Sequence, residues 1–121
     1  MTVQEIAADF VALCKEGKFD EAGEKYWSAD IVSVEPGAPP GGDPASHGID
    51  AVRAKGVWWY ENHEIHGVEA QGPYVNGDQF IIRFKMDVTM KASGVRMQMD
   101  EDALYTVKDG KVVEERFFYG A

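Results

Sequence analysis

Between Gln79 and Lys91 apolar and polar residues alternate one for one. Phe80, Ile82, Phe84, Met86, Val88 and Met90 fall on one side; Gln79, Arg83, Lys85, Asp87, Thr89 and Lys91 fall on the other, and Ile81 breaks the pattern. A period of two is the signature of a strand with one covered face. The strand is bracketed by turn sequences. Val75–Asp78 reads VNGD, an Asn-Gly hairpin turn; Lys91–Gly94 (KASG) makes the next, and Lys108–Lys111 (KDGK) the third. Val95, Met97, Met99, Ala103, Tyr105 and Val107 form the apolar set of the following strand, and VVEERFFY forms the last. The second half therefore reads as a meander of long antiparallel strands whose apolar face needs a cover.

The first half supplies it. Thr2 and Glu5 have capping-box spacing, and Val3, Ile6, Ala7, Phe10, Leu13 and Cys14 recur at helical period until Gly17. Asp20 reads as the N-cap of a short second helix, with Phe19, Ala22, Gly23, Tyr26 and Trp27 on one face. Ile31–Glu35 (IVSVE) reads as a strand ending at Pro36. Pro36–Gly48 is rich in Pro and Gly and reads as a long loop. Ile49, Val52, Gly56 and Trp59 share a face of a third helix. The expected fold class is α+β, with helices on one face of a curved antiparallel sheet. Residues 1–121 are expected to form a single domain.

The charge balance narrows the partners. The chain has 12 Lys and Arg against 21 Asp and Glu, a net charge of −9. Such a surface repels phosphate backbones and anionic lipid heads, so neither nucleic acid nor membrane is an expected partner. No stretch reaches the roughly 18 apolar residues of a membrane span. The first ten residues lack the basic flank of a signal peptide. Cys14 is the only cysteine, which excludes an internal disulfide. A cytoplasmic location is expected.

Alternation places Met97, Met99, Glu101, Ala103 and Tyr105 inward, with Asp100 and Asp102 outward. A carboxylate on an apolar face raises its pKa or finds a partner. An acid that keeps its proton near neutrality is useful in acid–base chemistry; the alternative is a strand-end carboxylate that reaches water or an Arg. A β-bulge among the three acids would exchange the roles of Glu101 and Asp102. Glu35 is a candidate base at a pocket mouth, or a solvated carboxylate before a turn. His47 is placed to cap a pocket or to stand exposed. His63 and His66 do not share a helical face, and with no third ligand nearby no metal is expected. Trp27, Trp59, Phe84, Met86, Met97, Met99 and Tyr105 are candidates for core packing or for a cavity wall. On the last strand Glu115, Phe117 and Tyr119 share one face and Glu114, Arg116 and Phe118 the other. Which face is inner stays open, with the tyrosine favouring the first set.

FVALCKEGKFDEAGEKYW followed by IVSVEPG, the helix entry HGIDAVRA, and LYTVKDGKVVEERFFY at the end make the chain resemble a known family. It is similar to the SnoaL-like branch of the nuclear-transport-factor-2-like superfamily, which includes ketosteroid isomerases and polyketide cyclases. The resemblance covers essentially the whole chain. It implies a cone-shaped α+β barrel of cystatin-like type, with a strongly bent sheet around three helices and a deep apolar pocket. It also implies a small apolar organic ligand, acid–base chemistry without a cofactor, or ligand binding alone, and a homodimer through the outer sheet face. The ketosteroid isomerase branch uses a base after the first strand and a Tyr plus a protonated Asp as oxyanion donors. The base position falls at or next to Glu35. The tyrosine position is Phe10, which lacks the hydroxyl. Gapless counting from GKVV puts the protonated acid at Asp102, whereas alternation puts it at Glu101. An Asp common at the end of the last strand is Gly120 here. Arg83, Arg96 and Arg116 all fall on the expected outer face, so an epoxide-hydrolase Asp–Arg–Asp set finds no place.

Overall fold

The computed structural model describes residues 1–38 and 42–120. Helix α1 spans Val3–Lys15 and α2 spans Phe19–Tyr26. Strand β1 is Trp27–Val34, β2 is Ala45–His47, and α3 is Ile49–Asn62. Four long strands follow: β3 His63–Asn76, β4 Gln79–Met90, β5 Arg96–Lys108 and β6 Lys111–Phe118.

The capping box forms as its spacing predicts. The Thr2 hydroxyl accepts from the Glu5 amide at 3.1 Å, and the Glu5 carboxylate accepts from the Thr2 amide at 2.9 Å. Asp20 does not cap α2. Lys18 holds that position with no side-chain bond, and Asp20 sits in the first turn, where its charge suits the helix dipole. Trp27 is the C-cap of α2, its amide donating to the Gly23 carbonyl, and it also opens β1, so the strand starts earlier than IVSVE. The Pro/Gly-rich stretch is not all loop. Ala45–His47 pairs with Val32–Val34 as an edge strand, while Pro39, Pro40 and Gly41 lie outside the described residues.

The six strands form one sheet in the order β2-β1-β6-β5-β4-β3. The β1–β6 pair is parallel and the rest are antiparallel. The fold is thus α+β with three helices in the first half against a strongly curved sheet. The sheet remains open, with β2 and β3 as edges, so the cone is not a closed barrel. Ile6, Ala7, Phe10, Val11 and Cys14 of α1 pack on Phe80, Ile82 and Phe84 of β4 and on Ala103 and Tyr105 of β5. Burying these apolar side chains is the main favourable term holding helices to sheet. Met90 reaches the strand end and is exposed, unlike the rest of its alternating set.

Register decides the inner face. Strands β4 and β5 pair without interruption through Arg83↔Asp102, Phe84↔Glu101 and Lys85↔Asp100. No bulge falls among the three acids, so Glu101 shares the face of Phe84. Strand β6 does carry an irregularity: Val107 pairs with Val112, but Thr106 pairs with Glu114. The extra residue, Val113, shifts the alternation by one. Val112 and Glu115 are therefore both buried although they stand three apart.

Candidate functional site

A cavity of about 590 Å³ opens between the concave sheet face and the helices. Its floor is Phe10 and Cys14 from α1 and Tyr105 from β5. Its walls are Phe84, Met86, Met99, Trp27 and Phe117, and Trp58, Trp59 and His63 stand on the α3 side. Sites for small organic molecules are generally of this size and this apolar character. Into it project Glu35, Glu101, Glu115 and Lys55.

Strand and helix geometry bring these four together. Glu35 follows the last residue of β1, and its amide donates to the Pro44 carbonyl at 2.9 Å, which fixes the turn. Lys55 comes from the middle of α3. Glu101 and Glu115 come from β5 and β6. Lys55 Nζ lies 2.6 Å from Glu35 Oε1 and donates to Ser33 Oγ at 2.6 Å. The Ser33 hydroxyl in turn donates to Glu115 Oε2 at 3.1 Å. The Trp27 indole N–H donates to Glu115 Oε1 at 2.6 Å, and the Tyr119 hydroxyl donates to Glu35 Oε2 at 3.0 Å. Both oxygens of Glu35 and both of Glu115 are thereby engaged. The Lys55 ammonium also lies 5.0 Å from the Phe117 ring centroid, a cation–π distance.

Glu101 differs from the other two acids. Among the described residues it makes no hydrogen bond. Burial pushes its carboxyl up to about 7; the Glu35 charge adds to this, Lys55 opposes it, and Glu115 raises it further. The group holds and exchanges a proton around neutrality. Glu115 is 6% exposed, and burial raises its pKa against the opposing effects of Lys55, Trp27 and Ser33. Burial also drives the Cys14 thiol up to about 12, so it is not a thiolate nucleophile at neutral pH.

Gly23 permits the Trp27 contact. A Cβ at that position would overlap the Trp27 ring. The indole lies flat against α2 only because the helix has no side chain there, and this aims the N–H at Glu115.

A SnoaL-like domain model matches residues 1–119. The chain belongs to the SnoaL-like family. Similar to this SnoaL-like chain is the crystal structure of a candidate SnoaL-like polyketide cyclase from Mesorhizobium loti, also described as a carbohydrate phosphatase. It is 56% identical over 98% of this chain and 100% of that one, with a TM-score of 0.94. A candidate isomerase from Bacillus subtilis shares the fold at 21% identity, covering 99% of this chain and 90% of that one, with a TM-score of 0.80. So does a Catenulispora acidiphila protein of ketosteroid isomerase-like fold in complex with trimethylamine. It is 18% identical over 98% of this chain and 88% of that one, with a TM-score of 0.73. No curated protein matches significantly.

Of the residues expected at the site of this SnoaL-like chain, Phe10, Trp27, Glu35, Trp59, Phe84, Met86, Met99, Glu101, Tyr105, Phe117 and Tyr119 line the cavity. Three do not. Asp102 stands on the outer face, its side chain 44% exposed and 4.0 Å from Arg83. The uninterrupted β4–β5 register requires this. His47 is 67% exposed and lies 3.7 Å from Asp43, because its position in β2 turns the ring outward. Met97 lies on the inward face of β5 but beyond the cavity, towards the hairpin end. Lys55, Ser33 and the buried state of Glu115 escaped sequence reasoning. A lysine three residues past Val52 on the third helix, near its apolar face, was the available signal for the first. His63 stacks on Trp59 with centroids 4.4 Å apart, and His66 Nε2 lies 2.7 Å from Thr89 Oγ1. Among the described residues no three His, Cys, Asp or Glu side chains are grouped to hold a metal.

Proposed function

We propose that the cavity binds a small, largely apolar organic molecule and carries out cofactor-independent proton transfer on it, of the isomerase, cyclase or dehydratase type. The observation that carries this reading is Glu101: a half-buried carboxyl, free of hydrogen bonds to the described residues, facing an apolar cavity with its pKa pushed to about 7. A general acid works best when its pKa lies near the working pH. In its protonated form Glu101 donates to a substrate carbonyl as negative charge develops there. Glu35, fixed by Lys55 and Tyr119 at the mouth, is the base that takes a proton α to that carbonyl. The names of the Mesorhizobium and Bacillus proteins, cyclase and isomerase, fit this class. Phosphate ester hydrolysis fits poorly, because Glu35, Glu101, Glu115, Asp20 and Asp43 all line the cavity against Lys55 as its one lysine or arginine among the described residues.

The test is deuterium incorporation into cyclic ketones in D2O, followed by mass spectrometry. Wild-type protein is expected to accelerate exchange, with Glu101→Gln and Glu35→Gln each slower by about 10²–10⁴-fold. Exchange no faster than buffer for every ketone removes the catalytic reading. Two features favour a second reading, ligand binding without turnover: Phe10 carries no hydroxyl, and both oxygens of Glu35 are already engaged. A ligand recovered unaltered after raising the melting temperature would support it. We also propose a homodimer through the outer sheet face, where Tyr74 pairs with Ile81 and Ile81 with Leu104 in one apolar row.

A further inference from the structure

The Tyr105 side chain has a task that packing leaves unfilled. Its ring is locked between two others, 4.7 Å from the Phe10 centroid and stacked 4.9 Å from Phe80. The residue is 3% exposed. Yet its hydroxyl makes no hydrogen bond among the described residues, in a fold where buried polar groups are nearly always paired. Ser28 Oγ is the one partnerless polar side-chain atom sealed from all free space among those residues. The Tyr105 hydroxyl is therefore not sealed, and the free space it borders is the cavity whose floor it forms.

We propose that Tyr105 is the specificity residue of the cavity floor, its hydroxyl donating to a neutral acceptor oxygen (a ketone, ester or ether) at the deep end of the ligand. This rests on the reading of the cavity as a ligand site, and it specifies the class of molecule. Three features set the sign. The phenol stays protonated: burial raises its pKa well above the ordinary value, and the neighbouring Glu115 adds to that. It is a donor at any physiological pH. The nearest acid across the strand pair is Glu115, directly opposite Tyr105 in register, so a ligand carboxylate at this depth would meet a like group in a poorly solvated place. Glu101 lies four residues back on the same face of β5, roughly 13 Å along the strand. A ligand anchored at Tyr105 and acted on at Glu101 is therefore elongated, with an apolar middle against Phe84, Met86 and Met99.

Three probes of matched shape test this: 4-phenylcyclohexanone, phenylcyclohexane and 4-phenylcyclohexanecarboxylate. Binding is read by tryptophan fluorescence and calorimetry on wild-type protein, Tyr105→Phe and Glu101→Gln. Tyr105→Phe keeps both ring contacts and removes only the hydroxyl. The expected result is that wild type prefers the ketone over the hydrocarbon by about tenfold, as one hydrogen bond would give. Tyr105→Phe loses most of that preference while binding the hydrocarbon as before, Glu101→Gln retains a measurable preference, and the carboxylate binds weakest. An undiminished ketone preference in Tyr105→Phe, or carboxylate binding as tight as the ketone, overturns the assignment. Failure of all three probes to bind overturns the ligand-site reading itself. Intact discrimination without deuterium exchange removes turnover and leaves Tyr105 in place.

Discussion

Glu101 links the proposed proton transfer to the stability of the fold. Its carboxyl has a pKa of about 7 in the folded protein, above the ordinary value of 4.5, and burial is the main cause. Below about pH 4.5 both folded and unfolded chains carry the proton, and burial of the neutral acid is unpenalised. As pH rises through 7 the folded protein must hold a buried charge, or bind a proton the unfolded chain has already released. Stability therefore falls between about pH 4.5 and 7, by roughly 3 kcal/mol from this group alone. Glu115, raised in the same direction, adds to the fall. Glu101→Gln removes the titration. Urea unfolding is expected to show the variant more stable than wild type at pH 8 and close to it at pH 4. A wild-type stability that climbs between pH 5 and 8, with Glu101→Gln following it in parallel, would mean that Glu101 ionises freely. Such a trade of stability for a proton-holding acid is common where a site does chemistry.

At the scale of the elements, what the sequence made legible was what repeats. The alternation of Phe80 to Val88, the capping box at Thr2 and Glu5, and the Asn-Gly turn each declare an element, and all of them form. The inward aim of Glu101 followed from the same period and survived because β4 and β5 pair without a bulge. The inner face of β6 was not legible, because Val113 inserts one residue and reverses the count from Val112. Lys55 and Ser33 were missed for a different reason. Each is ordinary on its own element, and only the approach of α3 to β1 makes them a linked pair at 2.6 Å. The junction of α2 and β1 illustrates how such contacts are built. Gly23 and Trp27 stand one helical turn apart, and the indole occupies the space of the missing side chain. Gly23→Ala favours helix locally, yet it must displace the ring from Glu115. The expected result is a net loss of about 1–3 kcal/mol in urea unfolding, as overpacking usually costs. The Trp27 indole N–H resonance should also lose the downfield shift that its 2.6 Å bond confers. A Gly23→Ala variant as stable as wild type, with that resonance unmoved, would show that the junction yields without cost.

Across the whole molecule, a concave face devoted to the cavity leaves the convex face to account for its own apolar residues. Tyr74 is 59% exposed, and it heads a row that continues through Ile81 and half-buried Leu104 to Arg116. Beside this row Arg83 is paired with Asp100 at 3.1 Å and lies 4.0 Å from Asp102, and Lys85 stands opposite Asp100 in register, so two cations balance two carboxylates and the flank is polar but locally neutral. An apolar strip with a neutral polar border suits a symmetric partner, since a copy of the same row lies against it without unpaired charge. Net charge works the other way. Each chain carries −9, so two chains in contact repel each other. Association held by apolar burial and opposed by like charge is strengthened by salt, because screening removes only the repulsion. Light scattering is therefore expected to give twice the 13.4 kDa chain mass, with the dimer fraction at low micromolar concentration rising between 20 and 300 mM salt, as expected for a Debye length falling from about 20 Å to about 6 Å. Ile81→Lys places a charge in the centre of the row and should give a monomer whose cavity still binds probe. Wild-type mass equal to one chain at every salt concentration would assign the convex face to solvent alone.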